Sequence, residues 1–378
     1  MKRKQSPFVR LGQTSEGSSG SPMAKSERKI ICIVGPTSSG KTGLAVKVAA
    51  KFGGEIISAD SRQVYRRLDI GTGKEGMPNL AAISNLKSQI SKTKLKNKKF
   101  ENSLKIKNCK IVKLRDNIRW IDDVPQWLID ICEPGEKFTM FDWLELARQI
   151  IDDIFERGKV PILVGGTGLY IQALIEGFEL KPENDKFLIP NDKLNPKSQN
   201  SKKYTREELE RKSLNDLQKI YLKLEISNLK LDFKNHRRLI RAIEKAQKGI
   251  RVSKLPPDFD VLQIGIILPR EKLYQKIDKR VDDRFEQGML EEVRGLLSSG
   301  VDPNWLVSLG LEYRIISNYL LETPRLSFEQ MSQNLKFKIH AYARRQLTWF
   351  RRFPEIKWVK NKNEALKLAR KYLHLVEK

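Results

Sequence analysis

The sequence predicts an α/β fold: a parallel sheet with flanking helices, plus an inserted helical subdomain. Three observations carry this. Ile30-Ile31-Cys32-Ile33-Val34 is a continuous apolar run, as a strand buried on both faces requires, and Leu44, Val48 and Phe52 then recur every four residues, as one helix face does. A second apolar strand, Glu55 to Ala59, follows directly, so strands alternate with helices and the sheet is parallel. After a break at residues 181–203, rich in Pro, Asn and Lys, the apolar residues fall almost entirely at helical spacing.

Residues 1–28 are rich in Ser, Gly, Lys and Gln without an apolar period and read as a disordered tail. The α/β core spans 29–180. Beyond its first two strands, further strands are predicted at Trp127 to Cys132 and at Pro161 to Val164. Phe141, Leu144, Ala147, Ile151 and Ile154 place a helix between them. The core is interrupted at 79–119, where twelve Lys or Arg face two acids; this insertion is either a solvated lysine-rich loop or a supplementary nucleic-acid arm. A linker at 181–203 leads into helices at Leu217 to Leu224 and at Leu239 to Ile243, ending at Gly249, so that 181–255 forms a linker and helical insertion. From 256 the chain returns to the core with an apolar strand, Val261 to Leu268. A long helix follows, in which Leu273, Ile277, Val281, Phe285, Met289 and Val293 keep a spacing of four, and the rest to 378 is mostly helical.

Composition limits the function classes. Of 378 residues, 72 are Lys or Arg and 46 Asp or Glu, a net charge of +26, which points to a polyanionic partner. There is no run of 18 apolar residues, and the basic N-terminus lacks the apolar stretch of a secretory signal, so the expectation is a cytoplasmic protein with no membrane partner. Cys32, Cys109 and Cys132, and His236, His340 and His374, are scattered without ligand spacing, which supports neither a disulfide framework nor a zinc site.

Two segments carry chemistry. Gly35-Pro36-Thr37-Ser38-Ser39-Gly40-Lys41-Thr42 fits GxxxxGK[ST] between a predicted strand and a predicted helix, which makes the core P-loop NTPase-like. The glycines let successive N–H groups and the helix N-terminus point at phosphate oxygens, Lys41 adds a point charge, and the Thr42 hydroxyl can hold Mg²⁺. The motif alone does not say whose phosphate is bound, since kinases, NTPases and other transferases share it. A switch NTPase would add an apolar strand ending in a carboxylate. After Val164 this chain instead runs Gly165-Gly166-Thr167-Gly168-Leu169-Tyr170, either a close approach for a ligand or a plain strand-to-helix turn. The second segment is Ser58-Ala59-Asp60-Ser61-Arg62-Gln63-Val64-Tyr65. Asp60 closes the second strand at the carboxyl edge of the sheet, where ligands bind, and so faces the phosphate loop. A carboxylate there can bind Mg²⁺ through water, accept a proton from a nucleophile, or merely cap the following segment.

These segments, with Asp69-Ile70-Gly71-Thr72-Gly73-Lys74, Leu128-Ile129-Asp130, His236 to Ala242 and Arg344 to Arg351, resemble the tRNA dimethylallyltransferases over roughly residues 29–360, outside the two insertions. The resemblance implies transfer of a dimethylallyl group from dimethylallyl diphosphate to N6 of the adenine 3′ to the anticodon, with Mg²⁺ as cofactor and the anticodon stem-loop of tRNA as partner. It implies diphosphate binding by Gly35 to Thr42, with Lys41 and Thr42 among the catalytic groups, and gives Asp60 the role of general base. It assigns tRNA contacts to Asp60, Ser61, Arg62, Gln63, Thr167, Arg237, Arg238, Arg241, the Gly310 region, Arg344, Arg345, Gln346 and Arg351, and so makes 181–255 a tRNA-binding insertion. Composition agrees for the last stretch: Leu335 to Arg352 holds six Lys or Arg, no acids, and interleaved Tyr342, Trp349 and Phe350, although a core role suits Trp349 and Phe350 better. A monomer is expected. The chain departs from the family pattern at Gln126-Trp127, where two histidines are usual, at Gly310-Leu311-Glu312-Tyr313-Arg314, where Gly-Tyr-Lys is usual, and in lacking the zinc finger of some eukaryotic members. The alternative reading is a small-molecule or nucleotide kinase, which also sets an Asp opposite a P-loop.

Overall fold

The structure, a computed structural model, describes residues 28–78, 118–182, 203–224, 232–247, 250–322 and 326–373. The expected N-terminal tail, nearly all of the lysine-rich insertion at 79–119 and most of the linker at 181–203 lie outside the described residues.

The core is an eight-stranded sheet. Its strands are β1 (Lys29–Val34), β2 (Gly54–Ser58), β3 (Met77–Pro78), β4 (Arg119–Ile121), β5 (Val124–Trp127), β6 (Val160–Gly165), β9 (Asp260–Ile266) and β10 (Lys357–Val359), in the spatial order β10-β9-β1-β6-β2-β5-β4-β3. The run from β10 to β5 is parallel, and β4 and β3 add an antiparallel edge. The alternation of side chains explains the uninterrupted apolar sequence of β1. Ile31 and Ile33 face a layer formed by α1 (Lys41–Phe52) and the C-terminal helix Lys362–Leu373, with Leu44, Val48, Ala365 and Ala369 in contact. Ile30, Cys32 and Val34 face the larger layer, where α2 (Met140–Glu156) and α3 (Gly168–Ile175) bring Trp143, Leu144, Ala147 and Tyr170. Thr139 starts α2 with a capping box, its hydroxyl accepting from the Asp142 N–H at 3.3 Å.

Three expectations need correction. The strand expected at Trp127 to Cys132 lies earlier, at Val124–Trp127, because Leu128 (φ +63°) and Asp130 (φ +58°) turn left-handed and end it. The single long helix expected from Leu273 to Val293 is two, Arg270–Glu286 and Met289–Ser298, broken where Gly288 takes φ +96°. The segment expected to be linker from residue 181 starts as a strand: β7 (Phe178–Pro182) pairs antiparallel with β8 (Ile250–Lys254), Phe178 opposite Lys254 and Pro182 opposite Ile250.

That two-stranded ribbon carries the helical subdomain, α4 (Arg206–Glu210), α5 (Leu214–Lys223) and α6 (His236–Gln247). Leu209, Leu217, Tyr221, Leu239, Ile240 and Ile243 form its own small core. The helices after β9 are α7 (Arg270–Glu286), α8 (Met289–Ser298), α9 (Pro303–Leu309), α10 (Leu311–Leu321) and the 23-residue α11 (Phe328–Phe350). Among the described residues no helix is long and apolar enough to cross a membrane.

Candidate active site

The carboxyl ends of β1, β2 and β6 lie side by side, since β6 sits between the other two (Ile33 opposite Val164, Ile57 opposite Leu163). The three segments singled out in the sequence leave the sheet at that edge, at Gly35, Ala59 and Gly166. They line one cavity of about 330 Å³ that holds Thr37, Lys41, Thr42, Asp60, Gln63 and Gly166.

The loop from Gly35 to Gly40 folds as the motif requires. Gly35, Ser38 and Gly40 all take positive φ (+151°, +59° and +88°), and the Leu44 N–H closes the first turn of α1 on the Gly40 carbonyl at 3.1 Å. Lys41 bends back, its Nζ donating to the Pro36 carbonyl at 2.6 Å. Burial, reinforced by the positive charge of Arg280 and partly opposed by Asp60, pushes the Lys41 ammonium down to about 7. The loop thus holds a lysine that is readily discharged without an anion, and Asp60 lies near enough to bias it.

The Asp60 carboxylate accepts from the Arg62 N–H at 2.9 Å through Oδ1, so the capping role is filled by one oxygen while the residue also lines the cavity. Ser61 N–H donates to Thr167 Oγ1 at 3.3 Å, tying this turn to the start of α3. Gln63 accepts from the Ser58 hydroxyl at 2.9 Å and reaches the Thr72 and Gly73 carbonyls at 3.4 Å. The adjoining loop is fixed from outside: Glu292 accepts from the N–H groups of Asp69, Ile70 and Gly71 at 2.7, 2.7 and 3.0 Å, and from the Tyr313 hydroxyl at 2.8 Å. Asp130 pairs with Lys74 at 2.6 Å and Arg119 at 2.5 Å, which gives the Leu128-Ile129-Asp130 motif a structural role.

The opposite wall was not found from the sequence. Lys276, Arg280 and Arg284 stand one turn apart on α7 and all face the cavity, and Arg280 donates to Thr37 Oγ1 at 3.3 Å. Burial and the nearby Arg284 charge lower the Arg280 guanidinium to about 10. Glu312, in the stretch where the chain departs from the family pattern, is buried between Arg62 (2.6 Å) and Arg284 (3.0 Å). Burial opposes its ionisation, but those two guanidiniums hold its carboxyl below the usual range. The cavity lining therefore carries five cations (Lys41, Arg62, Lys276, Arg280 and Arg284) against three carboxylates (Asp60, Glu75 and Glu312), and Glu312 is already spent on two arginines. The signal was present: a basic residue every four positions, beside the Leu273, Ile277, Val281 column, is more than a solvated face needs.

The other departure is also accounted for. Gln126 lines the cavity and donates to the Glu75 carbonyl at 3.2 Å. Trp127 Nε1 donates to Glu55 at 2.8 Å, a carboxylate wholly buried in β2 and ion-paired with Arg157.

The remaining predicted residues fall into two groups. Arg237, Arg238 and Arg241 are exposed on one side of α6, and Arg344, Arg345 and Arg351 are exposed on and just after α11. Gln346 is different: it is buried, with its amide bound to Thr37 and Gly166 inside the cavity wall. Trp349 and Phe350 pack into the large apolar cluster, Trp349 lying across Gly168, as the core reading had it.

The donor set suits Mg²⁺, a hard cation that takes oxygen ligands and keeps several waters. Thr42 and Asp60 offer a hydroxyl and a carboxylate in one cavity, and the described residues hold no cluster of three or more His, Cys, Asp or Glu for a self-contained metal site.

Comparison with known proteins agrees with this geometry. The family model described as IPP transferase matches residues 109–353, and the one described as isopentenyl transferase matches residues 28–106. The chain is 36% identical over 341 residues to tRNA dimethylallyltransferase 1 of Parabacteroides distasonis, covering 88% of this chain and 92% of that one. It is 36% identical over 348 residues to tRNA dimethylallyltransferase 2 of Shewanella sediminis, covering 90% and 96%. Among solved structures, the full-length tRNA isopentenylpyrophosphate transferase of Bacillus halodurans superposes with a TM-score of 0.57 at 29% identity, covering 92% of this chain and 97% of that one. With one family model matching more than half of this chain, and a parallel sheet whose phosphate loop and Asp60 share a single cavity, the chain belongs to the IPP transferase family, the tRNA dimethylallyltransferases.

Proposed function

We propose that the protein transfers the dimethylallyl group of dimethylallyl diphosphate to N6 of the adenine 3′ to the anticodon in tRNA, releasing diphosphate. The observation that carries this is the meeting, in one cationic cavity, of the Gly35–Thr42 loop with Asp60. The C–O bond from the allylic carbon to diphosphate breaks, its electron pair leaving with the diphosphate, while N6 forms the new C–N bond. Negative charge develops on the leaving group. The loop N–H groups not already bonded, Lys41 once it is protonated, and Arg280 offset it, with Lys41 and Arg280 held in advance by the Pro36 carbonyl and the Thr37 hydroxyl. An exocyclic amine is a poor nucleophile, and Asp60 accepts its proton as the bond forms.

Thr42 and Asp60, which line the same cavity, would hold Mg²⁺, whose charge would further neutralise the diphosphate. To reach this cavity the adenine leaves the anticodon-loop stack at a cost of about a few kcal/mol, offset by stacking and phosphate contacts. The exposed arginines of α6 (Arg237, Arg238, Arg241) and of α11 and its end (Arg344, Arg345, Arg351) supply the phosphate contacts, Arg62 and Gln63 are the RNA-facing groups at the cavity itself, and Ser61 and Thr167, bonded to each other, meet RNA beside it. The protein acts in the cytoplasm as a monomer; Cys32 is a buried free thiol, as a reducing compartment allows.

The test is direct. Purified protein with Mg²⁺, dimethylallyl diphosphate and bulk tRNA should yield dimethylallyl-adenosine in digested nucleosides, by mass spectrometry, with one diphosphate released per modification. ADP formation from ATP without any prenylated adenosine would replace this reading with the kinase one.

A further inference from the structure

The helix that presents Arg344 and Arg345 to solvent also sends one polar side chain the other way. Successive residues on a helix are about 100° apart, so Tyr342, Gln346 and Trp349 form an inward row while Arg344 and Arg345 point out. Gln346 is buried, and both ends of its amide are used. Oε1 accepts from the Thr37 N–H in the phosphate loop at 2.8 Å, and Nε2 donates to the Gly166 carbonyl after β6 at 3.0 Å. This orientation is forced, since the Thr37 N–H can only donate and the Gly166 carbonyl only accept. Gly166 has no room for a side chain: a Cβ there would run into the Gln346 amide. Thr37 is gripped from its other end by Arg280, at 3.3 Å through Oγ1.

We propose that Gln346 is a positioning residue of the diphosphate site rather than a reader of RNA: one amide locks the phosphate loop to the Gly165-Gly166 turn and sets the direction of the loop's N–H groups. This rests on the reading of the Gly35–Thr42 loop as the diphosphate cradle. The amide spends one N–H and one lone pair on two backbone groups, and what is left of it lies in the cavity wall of a buried residue, whereas the exposed arginines beside it offer their donors to solvent.

Gln346→Met keeps the volume and removes both hydrogen bonds. Its affinity for inorganic diphosphate with Mg²⁺ should fall about tenfold by calorimetry, and its KM for dimethylallyl diphosphate should rise about as much. Its Kd for a fluorescent anticodon stem-loop RNA and its KM for tRNA should stay within about twofold. Gly166→Ala displaces the same amide and should give the same split, and the double variant should be no worse than Gln346→Met alone, because both changes break one contact. Gly166→Ala carries the test if Gln346→Met is poorly folded. A loss of RNA affinity with diphosphate binding intact would overturn the proposal, as would parallel losses of both affinities, no change in either, or additive effects in the double variant. If the wild type itself fails to bind diphosphate or to make prenylated adenosine, the proposed function falls; if only the variants disagree, this assignment alone does.

Discussion

Lys41 gives a pH prediction that can be worked from the cavity. Its ammonium, ordinarily near 10.5, lies at about 7 in the protein without ligand, because burial and then the Arg280 charge disfavour it more than Asp60 supports it. At pH 8 the side chain is therefore neutral in roughly nine molecules of ten. An anionic phosphate oxygen about 4 Å away, at an effective dielectric of ~20, contributes about 4 kcal/mol to the charged form. That restores about three pH units and returns Lys41 close to its ordinary value when diphosphate is bound. Between the two values binding must take up a proton. The apparent Kd for dimethylallyl diphosphate, measured by calorimetry without RNA, should rise about fiftyfold from pH 7 to pH 9, and close to one proton per ligand should be absorbed at pH 9. The ligand's own last ionisation, near ~6, is complete before this window. Lys41→Met should abolish both signals. The sign for stability follows as well: with the folded value below the unfolded one, the unfolded chain binds more protons from about pH 7 to 10.5, so Lys41 makes the empty protein more stable as pH rises through that range. A flat Kd with no proton uptake would refute the placement of Lys41 beside the diphosphate.

Asp60→Asn keeps the hydrogen bond to the Arg62 N–H but cannot take a proton; single-turnover prenylation should slow by about 10²–10⁴ while tRNA affinity stays within a few-fold. Glu312→Gln leaves Arg62 and Arg284 without their shared counter-ion, and denaturant unfolding should report a loss of about 3–5 kcal/mol. Replacing Arg344, Arg345 and Arg351 together should weaken tRNA binding and flatten the plot of log Kobs against log salt by about two to three units, as the loss of up to three phosphate contacts requires. An unchanged slope would mean that this surface does not meet RNA. Gly288→Ala, at φ +96°, should cost about 1–3 kcal/mol by thermal unfolding with little effect on diphosphate affinity.

The parts of the site that local chemistry dictates were legible in the sequence: a phosphate loop needs its glycines and lysine at fixed offsets, and Asp60 sits where a buried strand must end. What brings them together was not. Arg280 and Arg284 lie nearly 240 residues or more beyond the phosphate loop in sequence, and the four-residue spacing that marks them does not say what they face. Glu312 was visible only as a departure from a pattern, and its meaning depends on Arg62, contributed by a segment near the other end of the chain. Gln346 was assigned to tRNA by the resemblance, whereas the helical period alone turns it inward. The shift of β5 has the same origin: an apolar run shows where residues are buried, but the left-handed turns at Leu128 and Asp130 that end the strand answer to Lys74 and Arg119 elsewhere in the fold.

The chain leaves the core at Phe178 and comes back at Lys254, directly opposite, after an excursion with its own small hydrophobic centre. An appendage that departs and rejoins at neighbouring points imposes almost no constraint on its base, since the closure entropy of the intervening loop grows only as the logarithm of its length. The head can therefore be exchanged or resized while the chemistry below it is left alone. In the proposed function the head meets RNA, which puts RNA contact and bond making in separable parts joined by a two-stranded neck.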